Sequence, residues 1–328
     1  MVLDCDRARE GEQKMIQLTI IVPHYNSPEL LCKLLDTIPN NNEIQTIVID
    51  DKSNKYIEEF NSLISTPKYD HVLFLSNSTK NKGAGTCRNI GLDKAIGKWV
   101  LFADTDDYFC GDFYSIIKEY FNTDNDVVFF TPTSAELNTG FPSDRHKPFV
   151  KIINEYLGKK DEKSETMLRY RFISPWSKLI RKSFLVEKNI YFDKVIAAND
   201  VLFSTKLGFN MKKFEATQKV IYCITKSKGT LTTSISKDIF DTRLSVYINY
   251  CKYLRSNLEK TELKYLELNG RKFVILAIIN RLGLSLILWT IKELKRNDIK
   301  IISLKSLNPI YLIERLRYHY KNTKYFSK

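Results

Sequence analysis

Five short apolar runs punctuate the first part of the chain: LTIIVP (Leu18–Pro23), TIVIDD (Thr46–Asp51), HVLFLS (His71–Ser76), KWVLFAD (Lys98–Asp104) and DVVFFT (Asp126–Thr131). Each is almost continuously hydrophobic rather than alternating, the pattern of strands covered on both faces. Between them the period changes. In SPELLCKLLDTI (Ser27–Ile38), Leu31, Leu34, Leu35 and Ile38 recur on one helical face, with Ser27 as the expected N-cap and Pro28 at the first helical position. GTCRNIGLDKAI (Gly85–Ile96) is the helix expected before the fourth strand. Strands alternating with helices predict an α/β fold: a Rossmann-like, mostly parallel, doubly wound sheet with flanking helices.

In such sheets ligands bind at the carboxyl ends of the strands. Polar residues collect there: PHYN after the first strand, DDKSN after the second and DTDD after the fourth. They come from distant parts of the chain and should meet along one edge. In LFADTDDYF (Leu101–Phe109) a buried-type run breaks into Asp104, Asp106 and Asp107. Three like charges placed together need a compensating positive charge. A divalent cation supplies it, and hard oxygen ligands suit Mg²⁺ or Mn²⁺. The reading is a metal–diphosphate site with Asp106 as direct ligand, Asp104 on a sugar hydroxyl and Asp107 behind them. The plainer alternative is a solvated turn that caps the next helix.

One of Asp50 and Asp51 could accept hydrogen bonds from a base or ribose, or the pair could form an Asx turn into KSN. NKGAGTCRNIG (Asn81–Gly91) supplies small residues that permit close backbone approach, then Arg88, placed to reach a nucleotide or brace the aspartates. It matches neither GxGxxG nor a Walker loop, which disfavours a dehydrogenase or a P-loop enzyme.

Composition adds an asymmetry. The chain has 328 residues and a formal net charge of +13. From Tyr265 onward stand thirteen Lys/Arg against four acidic residues, so most of the excess lies in the last fifth. A basic C-terminal region points to an anionic partner, a lipid headgroup or nucleic acid. Within it FVILAIINRLGLSLILWTI (Phe273–Ile291) is long enough for a membrane span, but Asn280 and Arg281 near its centre argue against one. Helices that rest on an anionic cytoplasmic leaflet are the preferred reading, a plain basic bundle the alternative. Six scattered cysteines without a CxxC pair suggest free thiols in a reducing cytoplasm. Residues 1–16 read as a disordered lead-in, neither signal peptide nor span, with Met15 a candidate start.

Taken in order, TIIVPHYN, TIVIDDKSN, NKGAGTCRNIGLDKAIGKWVLFADTDDYF, PWSKLIRKSFLVEKNIYFD and AANDVLFSTKLGF resemble the family 2 glycosyltransferases of GT-A fold, over roughly Leu18 to Phe209. The resemblance implies a catalytic domain over 17–235, with a nucleotide-sugar half (17–131) and an acceptor half (132–235), followed by a basic helical region over 236–328. By it, Pro23 and Tyr25 line the base pocket, Asp51 contacts the base and Arg88 sits beside it. Asp104 and Asp106 form the DxD-type motif for ribose and metal. The catalytic base falls on Asp200, where the family's usual Glu-Asp pair reads Asn199-Asp200. An inverting transfer requires such a separate carboxylate, because the acceptor attacks the face opposite the leaving diphosphate.

On the acceptor side, Trp176 could stack on a sugar or belong to the core, and Lys178 or Arg181 could reach a phosphate. KSKGTLTTS (Lys226–Ser234) is placed to act as a lid or is an ordinary surface loop. The expected activity is metal-dependent hexosyl or N-acetylhexosaminyl transfer from a UDP-sugar, with Mn²⁺ or Mg²⁺. The expected acceptor is a lipid-linked or growing saccharide of capsule, O-antigen or lipooligosaccharide synthesis. The expected place is the inner face of a bacterial membrane, peripherally bound, with no nucleic-acid partner. The competing reading is a non-catalytic polyanion- or lipid-binding protein that uses the basic region. A nucleotidyltransferase shares the metal–diphosphate logic but fits the later segments poorly.

Overall fold

The computed structural model describes residues 15–226 and 236–301. The chain opens with β1 (Leu18–His24), α1 (Pro28–Leu35), β2 (Ile44–Asp50), α2 (Ile57–Ile64), β3 (Val72–Ser76), α3 (Ala84–Lys94) and β4 (Trp99–Phe102). These four strands are parallel neighbours in the order β3-β2-β1-β4. β1, β2 and β4 are buried throughout or nearly so, as strands covered on both faces should be. β3 departs from that expectation. It is an edge strand, and Leu73 is 40% exposed. α3 lies against β1 and β2 through Gly91, where a Cβ would meet Ile21 and Ile49 side-chain atoms at 2.4 and 3.0 Å.

The helix at Ser27 forms, but not by the expected cap. The Ser27 hydroxyl donates to the Tyr25 carbonyl, and the Ser27 N–H donates to His24 Nε2 at 3.2 Å. The buried histidine thus satisfies the N–H of Ser27 itself, one of the free donors at the helix start, while the Ser27 side chain caps none of the N–H groups of the first turn.

The second half continues with β5 (Tyr108–Phe109), α4 (Phe113–Lys118), β6 (Val127–Glu136), α5 (Lys147–Lys159), α6 (Glu162–Arg171), β7 (Lys178–Arg181), α7 (Lys182–Glu187), α8 (Asp200–Asn210) and β8 (Phe214–Lys226). The whole sheet has eight strands in the order β3-β2-β1-β4-β7-β6-β8-β5. The fifth apolar run, β6, is not next to β4. β7 lies between them, antiparallel to both. β8 runs parallel to β6 with register shifts, and β5 pairs antiparallel to β8. The result is a mixed sheet, parallel in its first half and mixed in its second. One large aromatic and aliphatic core covers it.

After α9 (Lys237–Asn257) come α10 (Lys260–Leu266), α11 (Arg271–Ile279) and α12 (Leu284–Arg296). They close over a second apolar cluster, with Phe240, Leu244, Cys251, Leu254, Phe273 and Leu294 at its centre, and Tyr170 of α6 joins it. The apolar stretch over 273–291 is therefore two short helices. A turn with Arg281 and Gly283 at positive φ separates them. Among the described residues no helix is long and apolar enough to cross a membrane. The lid reading over Lys226–Ser234 lies outside the described residues except for Lys226, as do the lead-in up to residue 14 and the segment beyond 301.

Candidate active site

The parallel half of the sheet brings the ends of β1, β2, β3 and β4 to one edge. Register aligns His24 with Asp50, and Asp50 with Ser76. His24 is buried, stacks on Phe60 at 4.4 Å, and its Nδ1 lies 2.9 Å from Asp50 Oδ1. Because Nε2 accepts from Ser27, Nδ1 carries the proton. Burial raises the Asp50 carboxyl, but His24 and the Ser53 donors outweigh it and hold the group below its ordinary range. Asp50 is thus a structural anchor. Its neighbour Asp51, also buried, accepts from Asn77 Nδ2 at 2.8 Å and from the Gly83 N–H at 2.7 Å. Asp51 thereby ties β2 and β3 to the start of α3.

Tyr25 stands at the rim, 43% exposed, with the Lys82 ammonium 3.9 Å from its ring centre. Pro23 lies beneath, its carbonyl accepting from Thr105 Oγ1 at 2.5 Å, which fixes the aspartate turn to β1.

α3 carries two consecutive clamps. Asn89 makes a two-way amide pair with the Phe192 backbone, both bonds 2.9 Å. Arg88 is buried, donates to Asn199 Oδ1 at 2.9 Å and forms an ion pair with Asp104. One guanidinium therefore joins the aspartate turn to the residue before Asp200. Asp200 opens α8, half-buried. Its carboxyl accepts no hydrogen bond from any other described residue. Burial pushes it above the ordinary carboxylate range, the Arg88 and Lys178 charges pull it back, and Asp104 pushes it up again. Behind it Phe192 and Phe203 stack at 3.8 Å and meet Phe102 edge-on, so the first turn of α8 rests on a rigid floor.

The aspartate turn is held from β8. The Asp104 N–H donates to Tyr222 Oη at 2.8 Å, and the Tyr222 hydroxyl donates to Asp107 Oδ2 at 3.0 Å. Thr225 donates its N–H to Asp107 Oδ1 at 2.7 Å and its hydroxyl to the Asp106 carbonyl at 2.6 Å. Asp107 is therefore spent inside the fold. Burial, with Asp106 and Asp104 beside it, pushes its carboxyl well above the ordinary value. Asp106 is only half-buried, and its carboxyl has no hydrogen bond from another described residue. Burial and the Asp104 charge push it upward, while Arg145 opposes them.

Among the described residues no three His, Cys, Asp or Glu side chains gather as a ready cage. Asp106 with Asp104 beside it fits the other kind of site, in which one or two carboxylates hold a hard cation and ligand oxygens complete the shell.

The acceptor-side expectations meet a different arrangement. Trp176 is 4% exposed, inside an aromatic cluster with Phe149, Phe172 and Tyr222. Lys178 is 1% exposed, and its ammonium points inward, to the Phe172 carbonyl at 2.6 Å and Ser204 Oγ at 3.2 Å. Neither presents a surface to a ligand. Arg181 is ion-paired with Asp126. Sequence reasoning gave no part to Tyr222, Thr225, Arg145 or Asn89. The run VIYCIT in β8 carried a strand signal, whereas no periodicity marks the long-range partners of Arg145 or Asn89.

Residues 19–187 match the family described as Glycosyl transferase family 2. Among curated proteins, the chain is 27% identical over 226 residues to a Staphylococcus aureus poly(ribitol-phosphate) beta-N-acetylglucosaminyltransferase, TarS, covering 66% of this chain and 36% of that one. It is 31% identical over 98 residues to a Bacillus spizizenii poly(ribitol-phosphate) beta-glucosyltransferase, covering 28% and 15%. The chain thus spans about a third or less of these relatives' length. Among solved structures, S. aureus TarS 1–349 in complex with UDP-GlcNAc superposes with a TM-score of 0.54 at 24% identity, over 79% of this chain and 71% of that one. A Pyrobaculum calidifontis mannosyltransferase in complex with GDP-Man and Mn²⁺ superposes with a TM-score of 0.55 at 16% identity, over 90% and 82%. These likenesses carry the fold.

Proposed function

The chain belongs to glycosyltransferase family 2, and from that premise we propose that it transfers a hexose or N-acetylhexosamine, with inversion, from a UDP-sugar to a hydroxyl of a bacterial surface polymer or its lipid-linked precursor. The curated relatives that act on poly(ribitol-phosphate) favour a polyol-phosphate acceptor over capsule, O-antigen or lipooligosaccharide. Their names also specify beta products, which an alpha-linked nucleotide sugar yields by inversion.

The observation that carries the reading is the Arg88 bridge. It holds Asp104, on the donor side, and Asn199, one residue before Asp200, in one rigid unit. Beside that unit the Asp200 carboxyl accepts no hydrogen bond from another described residue, and its upward shift suits a general base. On this reading Asp200 takes the proton of the acceptor hydroxyl, and Pro23, Tyr25 and Asp51 frame the base of the nucleotide. Lys82 then moves off the Tyr25 ring as the base stacks there. Asp106, with Asp104 beside it, would hold Mn²⁺ or Mg²⁺, and the ion would offset charge on the departing diphosphate. Asn199 keeps the bond to Arg88 without adding a charge, so the guanidinium charge is directed at the carboxylates of Asp104 and Asp200. The basic C-terminal region favours work at the inner, anionic membrane surface. A non-catalytic lipid-binding role accounts for none of this network.

Asp200→Asn tests the assignment. Donor binding should persist while transfer is lost. Near-normal turnover in that variant places the base elsewhere.

A further inference from the structure

Among the described residues, five large hydrophobic side chains stand exposed at one short stretch of the C-terminal helices. Ile278, Ile279, Leu284, Leu288 and Trp289 are 55, 42, 71, 58 and 41% exposed, and all five fall at the hairpin between α11 and α12. α12 shows how the patch arises. Leu286, Thr290 and Leu294, at helical spacing, face the second core and are buried. The opposite face begins with Leu284 and Leu288 and continues with Lys292, Lys295 and Arg296, all exposed. Apolar residues occupy the tip and cations follow about one and two turns behind, roughly 6–12 Å along the axis. That spacing matches a bilayer surface, where apolar side chains reach about 5–10 Å into the acyl boundary and cations stay among headgroup phosphates. Trp289 sits between the zones, the level such rings favour.

We propose that this helical hairpin is the surface by which the protein seats itself on an anionic lipid bilayer. This rests on the proposal above that the enzyme works at a membrane, and it assigns the contact to particular side chains. Charge selects the occupant. Over 280–300 five Lys/Arg stand against Glu293 and Asp298, and residues 302–328 add six Lys/Arg against Glu314. A second copy docked tip to tip sets this cationic collar against itself, and the C-terminal segment carries the same sign, so neither complements it. An anionic surface does. The tip inserts shallowly. α11 and α12 have 9 and 13 residues, about 14 and 20 Å, against a hydrocarbon core of about 30 Å.

The test is co-sedimentation of the full chain with phosphatidylcholine vesicles, with and without about 30% phosphatidylglycerol. Trp289 fluorescence and UDP binding are read in parallel. The wild type should pellet with the anionic vesicles only, with a blue shift from Trp289. The double variant Leu284→Asp/Leu288→Asp should lose roughly tenfold or more in vesicle affinity while UDP binding is unchanged. Lys292→Ala/Lys295→Ala should weaken binding and flatten its salt dependence. Equal pelleting of wild type and tip variant overturns the surface but leaves the membrane reading standing. Pelleting lost on deletion of residues 302–328, but kept in the tip variant, also overturns it. No vesicle binding by the wild type overturns both. A wild-type dimer that the tip variant converts to monomer, without vesicle binding, assigns the hairpin to a second copy instead.

Discussion

Lys178→Met should make the protein more stable at neutral pH and less active in acid. Lys178 lies wholly inside, over the rings of Phe129 and Phe172, and burial lowers its ammonium to about 7. In the unfolded chain the same group titrates near the ordinary lysine value of about 10.4. Between those two values the unfolded state binds the extra proton, so stability rises with pH across that window and is flat below it. The gap between those two values corresponds to on the order of 5 kcal/mol of stability forgone at pH 7. Methionine fills a similar volume without that cost. It leaves the Phe172 carbonyl without its donor, about 1–3 kcal/mol in the other direction, whereas Ser204 keeps its bond to the Ile173 carbonyl. The net expectation is a gain of roughly 2–4 kcal/mol at pH 7 that shrinks as pH rises and turns into a small loss toward pH 10, where only the missing bond to the Phe172 carbonyl remains.

The activity should move the other way. Lys178 bonds to Ser204, one turn along α8 from Asp200, and its charge is one of the two that keep Asp200 ionised. Removing that charge moves the acid limb of the rate profile to higher pH. The change shows below about pH 7, where Lys178 is protonated, and fades above it. Urea unfolding from pH 6 to 10, with a transfer assay over the same range, reads both effects. A variant less stable than wild type at pH 7, with an unchanged slope of stability against pH, refutes the reasoning.

Three further outcomes follow from contacts in the site. Arg88→Met strips Asp104 and Asn199 of their shared donor. With Asp104 about a third exposed, it should cost about 2–3 kcal/mol by denaturant titration and move the acid limb upward; unchanged stability means the bridge is not formed in solution. Asp106→Ala should abolish the metal dependence of UDP binding while leaving the fold intact, because no other described residue donates to its carboxyl; calorimetry with Mn²⁺ decides it. Gly85→Ala should impair transfer without touching a proposed contact residue. A Cβ there would lie 2.7 Å from the Asn199 Cβ and 2.4 Å from the Asp193 carbonyl oxygen, so the segment leading into Asp200 must shift; wild-type turnover shows that it can do so freely.

The parallel half of the fold was legible because burial on both faces leaves an unbroken apolar signature in β1, β2 and β4. The convergence of His24, Asp50, Asp51 and the aspartate turn follows from strand polarity alone. β7 was not legible, since four residues bounded by Lys178 and Arg181 carry no period, and the buried Lys178 imitates a solvent-facing cation. β8 begins with an alternating, exposed half that obscures the apolar run holding the turn. Within the candidate site, residue types at strand ends pointed to the edge along which His24, Asp50, Asp51 and the aspartate turn meet. Sequence cannot register that Arg88 bridges 111 residues to Asn199, or that Asp107 is consumed by Tyr222 and Thr225 whereas Asp106 is not. Such facts depend on side-chain direction across a mixed sheet. The apolar stretch over 273–291 was ambiguous for a related reason. Its hydrophobicity is real, but the positive-φ turn at Arg281 and Gly283 decides that it folds back on itself.

The proposed nucleotide site at the strand ends is the central claim. Calorimetric titration of UDP, with GDP, CDP and TDP as comparisons, in Mn²⁺ and then in EDTA, addresses it. The account predicts selective UDP binding that weakens roughly tenfold or more when the metal is removed, a loss of about 1.4 kcal/mol or more. Folded protein that binds none of the four nucleotides in Mn²⁺ contradicts it.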